Sequence, residues 1–138
     1  MNRETPHWQP ISALPMLASF IDGMVTDTTE QWATLQPAKD RPHVSDSALV
    51  ERIQRAYSEQ LDTSELFKEQ LIRWKNEQLS TAQANEVSRL QRQVEKLYTN
   101  LSHILALADE VEEKTIDKIL EKDDFELGLD VLLGKHKL

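Results

Sequence analysis

Ser80 to Glu113 reads STAQANEVSRLQRQVEKLYTNLSHILALADEVEE. Within it Val87, Leu90, Val94, Leu97, Leu101, Ile104, Ala108 and Val111 alternate steps of three and four without a slip. Such steps keep an apolar stripe on one face of an α-helix. Ser80 and Gln83 stand at capping-box spacing, each side chain able to satisfy the other's backbone N–H. A helix over 80–113 would span about 50 Å at 1.5 Å per residue.

With Val87 at heptad position a, the flanking e and g positions of the first two heptads are Gln91, Gln93, Tyr98 and Asn100. They are uncharged, so charge pairing does not select a partner there. Further on, Leu105 and Leu107 widen the stripe, and a wide stripe needs more than one neighbour. The pattern therefore predicts a narrow two-helix seam over Val87–Leu97 and a broader core face over Leu101–Val111.

The preceding segment, 45–79, supplies a partner. Val50, Ile53, Tyr57, Gln60, Ser64, Phe67, Leu71, Trp74 and Gln78 follow the same alternating steps, with a polar middle at Gln60 and Ser64. Asp62 and Glu65 could restart a helix there, so one helix and two are both open. A tight turn near Ser80 would fold 45–79 back along 80–113, setting Trp74 near Val87 and Val50 near Val111. Residues 62–95 would form the hairpin tip and could project. Upstream, Ser12 to about Leu35 forms a first helix, with Ser12 as cap and Pro15 in its first turn; the Thr26-Asp27-Thr28-Thr29 run, with Asp27 and Glu30 at capping spacing, leaves a break near Asp27 open. Residues 36–44, with Pro37 and Pro42, read as a linker, and Ser45 caps the next helix. Downstream, Thr115 caps a short helix to Leu120, and Asp123 with Glu126 caps another to Leu133, ended by Gly134. The expected fold is an all-α helical bundle in one domain over 1–138: a long antiparallel hairpin (45–79 and 80–113), an N-terminal helix and two short C-terminal helices.

Composition narrows function. The 138 residues carry a net charge of −8 and no cysteine. Between Arg3 and Lys39 there is no Lys or Arg, and no basic block occurs elsewhere. A nucleic-acid or anionic-membrane partner would need one. The most apolar run, Ile11 to Val25, includes Asp22 and falls short of the roughly 20 residues a membrane span requires. Met1 to Pro10 lacks the order of a signal peptide. Without cysteine there is no disulfide framework, which suits a cytoplasmic location. The four histidines (His7, His43, His103, His136) show no metal-ligand spacing. Gly128 to Gly134-Lys135 misses the phosphate-loop spacing by one residue, and His136 replaces its hydroxyl residue. No catalytic residues, no metal ligands and no cofactor follow from the sequence.

The expectation is an interaction or scaffold protein, not an enzyme. Its partner would be another protein or a second copy, most simply in a homodimer, met through a coiled-coil-like surface. Candidate contact residues at the hairpin tip are Phe67, Leu71, Ile72, Trp74, Val87, Leu90 and Val94. An acidic patch of Asp109, Glu110, Glu112, Glu113 and Asp117 is a second surface feature; Asp109 to Glu126 holds nine acids against three lysines. The alternative is a small helical enzyme or ligand-binding protein with a pocket between the first helix and the hairpin, lined by Trp8, Trp32, His43, Tyr57 and His103. Trp8-Gln9-Pro10-Ile11-Ser12 looks particular, with no function attached.

Overall fold

The computed structural model describes residues 7–37 and 47–132, with side chains over 7–37 and 48–113. Within these residues the fold is all-α. A 3-10 turn at Ile11–Ala13 leads into α1, Leu14–Leu35; α2 is Ser47–Lys75 and α3 is Thr81–Leu132.

The entry to α1 is built by the 3-10 turn, not by Ser12. Ala13 donates its N–H to Pro10 O at 2.9 Å, Pro15 falls in the first turn, and no side chain caps the helix. Leu14, Ala18, Ile21, Val25 and Thr28 are its buried stripe. The threonine run does not break α1, because the hydroxyls find acceptors inside it. Thr28 Oγ1 donates to Met24 O at 2.7 Å and Thr29 Oγ1 to Val25 O at 2.8 Å.

One unbroken helix, α2, spans the polar middle. Ser64 is buried there and donates Oγ to Leu61 O at 2.7 Å, so its hydroxyl does not go unpaired. After Lys75 the chain turns within five residues. Ser80 and Gln83 then form the reciprocal cap: Ser80 N–H donates to Gln83 Oε1 at 3.0 Å, and Gln83 N–H to Ser80 Oγ at 3.1 Å.

At 52 residues, α3 is about 78 Å long. It runs through Thr115 and Asp123, where capping chemistry predicts the start of two separate short helices. No Gly or Pro lies between Pro42 and Gly128, and a mid-helix Thr or Asp costs only tenths of a kcal/mol, roughly, which an established helix absorbs. Residues 38–44 of the expected linker, the Ser45 cap and the Gly134 stop lie outside the described residues.

The central helix is α3, and α1 and α2 meet mainly through it. Contacts fix the directions. Lys75 Nζ reaches Ser88 Oγ, and Gln54 reaches Asp109, so α2 runs opposite to α3. Asp22 reaches Arg89, and the Trp32 ring lies tilted against His103, so α1 runs with α3. All eight heptad positions from Val87 to Val111 are buried. The larger core cluster joins Leu14, Ala18, Ile21 and Val25 of α1 to Leu71 and Trp74 of α2 and to Val87–Leu101 of α3. A smaller one joins Val50 to Leu107, Ala108 and Val111, with Trp32, Leu35 and Ile53 against it. The Val87–Leu97 segment is thus no two-helix seam: α1 covers it, burying Leu14, Ala18, Ile21 and Val25 there and bonding to the polar residues beside the stripe.

Candidate functional site

The residues along α3 explain which surface is closed and which is open. On one flank Arg89 donates through Nη1 and Nη2 to the two carboxylate oxygens of Asp22, at 2.9 and 2.8 Å. Gln93 adds a bond to Asp22 Oδ1 at 3.0 Å, and Asn100 Nδ2 donates to Thr28 Oγ1 and Thr29 Oγ1. The hydrogen bonds from Arg89 hold the Asp22 carboxyl below the usual aspartate range, against the opposing effect of burial. Asp22 and Glu86 in turn push the Arg89 guanidinium pKa upward. Elsewhere, desolvation and the nearby Asp27 charge raise the Tyr57 phenol.

The segment before α1 closes the tip. Gln9 donates its N–H to Gln70 Oε1 at 2.7 Å, and its carbonyl accepts from Trp74 Nε1 at 2.9 Å. The Arg73 guanidinium lies 4.2 Å from the Trp8 ring centre, within cation–π range. Trp8-Gln9-Pro10 is therefore a strap across the last turn of α2.

That strap and α1 decide the fate of the expected contact residues. Leu71, Trp74, Val87, Leu90 and Val94 are buried in the chain's own core, with Trp74 only 1% exposed. Residues 62–95 carry half of α1 against them instead of projecting bare. Phe67 is half-buried, and Ile72 is left exposed at 39%.

The other flank of α3 is open. Between α2 and α3 lies a groove of about 690 Å³. Its floor is Leu71, Val94 and the buried Ser64; Ile72 and Tyr98 stand on its walls, and Glu65, Lys68 and Glu95 line its sides. The register set by Lys75–Ser88 and Gln54–Asp109 puts residues at matching levels across it. Glu65 is level with Tyr98, Lys68 with Glu95, and Ile72 with Gln91. Sequence reasoning missed Lys68, Glu95 and Tyr98. The available signal was that Gln91 and Tyr98 are both e positions and Ile72 lies off the main stripe.

The acidic patch is partly engaged within the chain. Gln54 Nε2 donates to Asp109 Oδ1 at 2.8 Å and to Glu112 Oε2 at 2.7 Å. Asp109 and Glu113 are exposed, Glu110 and Glu112 half-buried, and Asp117 lies outside the described side chains. Of the residues that could line a ligand pocket, Trp8 lies apart from Trp32 and His103, and Tyr57 packs against the larger core cluster. Trp8 sits at the C-terminal end of α2, while the tilted rings of Trp32 and His103 lie 5.3 Å apart toward the opposite end, and His43 is outside the described residues. Among the described residues no three His, Asp or Glu side chains group as metal ligands, and no helix is long and apolar enough to cross a membrane.

No family model, curated protein or solved structure matches the chain.

Proposed function

We infer that the chain is a helical protein–protein interaction module that acts through the α2–α3 groove. The carrying observation is that two large exposed side chains, Ile72 and Tyr98, stand on the walls of one groove floored by Leu71, Val94 and Ser64, on a helix pair whose heptad stripe is already used internally. A partner helix laid in such a groove buries apolar surface and finds charged groups at its edges. The open shape suits a helix better than an enclosed small molecule. The absence of cysteine fits a cytoplasmic setting.

Site-specific photocrosslinking in cells tests this reading. A photoreactive residue replacing Ile72 or Tyr98 should give discrete protein adducts. The same probe replacing Arg92, exposed on the outer side of α3, should give none above background. Equal labelling from all three positions, or none from any, overturns it.

A further inference from the structure

We propose that the groove's occupant is the same groove of a second copy, related by a two-fold axis parallel to the helices. The inference rests on the interaction-module reading and names its partner.

Charge placement singles out this arrangement. Lys68 and Glu95 stand level on opposite sides of the groove. Ion pairs such as Arg73–Glu69 and Arg89–Asp22 form within the chain, but among the described residues neither Lys68 nor Glu95 has an ion-pair partner. Rotation about an axis along the helices keeps each residue at its level and exchanges the two sides. Lys68 of each copy then meets Glu95 of the other. Glu65 meets the Tyr98 hydroxyl, a donor its carboxylate can accept from. Ile72 meets the aliphatic part of Gln91. At the far end Asp109 and Glu112 meet Gln54, the residue type that already binds them within the chain. A two-fold axis crossing the helices at the Lys68 level would instead stack Lys68 on Lys68 and Glu95 on Glu95.

Packing agrees with the charges. The α2–α3 faces of two copies make a four-helix arrangement in which every neighbour is antiparallel, a standard bundle geometry. The contact is isologous and closes on itself. Its apolar gain comes chiefly from Ile72 and Tyr98, because Leu71 and Val94 are already buried. Association should therefore be weak and sensitive to salt.

The full-length chain tests the proposal directly. Light scattering over rising concentration should show a monomer–dimer equilibrium, weakened by salt. Lys68→Glu or Glu95→Lys should each weaken it by about tenfold or more, and the double exchange should restore it. Circular dichroism checks that these exposed-site variants remain folded. Because the chain has no cysteine, Lys68→Cys and Glu95→Cys variants give a second readout. Mixed and oxidised, they should form a disulfide-linked heterodimer, while neither alone should crosslink efficiently. A monomer at every concentration, a double exchange that stays dissociated, or Lys68→Cys crosslinking to itself overturns the proposal. If the chain is monomeric while Ile72 and Tyr98 still crosslink to a different protein, the module reading stands and the second-copy occupant falls.

Discussion

The two flanks of α3 carry similar residue types and meet different fates. Both are lined by long polar side chains beside one apolar stripe. On one flank Arg89, Gln93 and Asn100 reach across to Asp22, Thr28 and Thr29, and α1 is locked down beside them. On the other flank Gln91, Glu95 and Tyr98 look into an open groove beside α2. What separates them is complementarity. Asp22 offers two oxygens to a planar guanidinium, and charge-assisted bidentate bonds are directional enough to fix a helix. Across the groove Lys68 and Glu95 are opposite in charge and, among the described residues, have no ion-pair partner.

The largest expected effect lies where α1 meets α3. Ile21 is fully buried in the larger core cluster. Ile21→Ala removes buried methyl groups and leaves a cavity, at a cost of about 3 kcal/mol. Urea unfolding should show this as a lower midpoint. A change below about 1 kcal/mol would mean that α1 is held by its polar flank, not by its stripe.

Much of the helical framework was legible in the sequence, and little of the contrast between the flanks. The stripe from Val87 to Val111, the Ser80–Gln83 cap and the all-α class rest on periodicity and capping, which are local. The course of α1 beside Val87–Leu97 does not, because it depends on residues distant in sequence: Asp22 with Arg89, Gln9 with Gln70 and Trp74. Gln93 and Asn100 read as uncharged bystanders because the pattern of one helix cannot say what faces it. Helix ends went wrong for a related reason. Thr115 and Asp123 have the chemistry of caps, but a cap acts only where a helix is already obliged to stop. The groove was legible only through Ile72, whose exposure comes from lying 100° from Leu71 on the helix.

An intermediate effect is expected at Asp22. Its pair with Arg89 is about two-fifths exposed, so solvent screens it, and Asp22→Asn should cost about 1 kcal/mol. The pH dependence has a definite sign. The folded-state carboxyl titrates below its ordinary value of 3.8, so the ionised pair contributes fully at neutral pH. That contribution is lost as pH falls below the ordinary value toward the folded one. The stability difference between the natural chain and Asp22→Asn should stay constant from about pH 7 to pH 5 and shrink in stronger acid. A difference independent of pH down to about 2 would show that hydrogen-bond geometry, not charge, holds α1 there.

The smallest effect on the fold should come from the open flank, and adjacent residues make the sharpest form of the comparison. Leu71 is 0% exposed and Ile72 39%, although they are neighbours on one helix. In dilute solution, where chains are separate, Leu71→Ala should cost about 3 kcal/mol and Ile72→Ala less than about 0.5. Ile72 has less buried surface to lose in the isolated chain than Leu71. If it is an interface residue, its substitution should matter only as concentration rises, through association and not through folding. An Ile72→Ala chain that is strongly destabilised when dilute would mean that the groove wall belongs to the core and that α3 has no open flank.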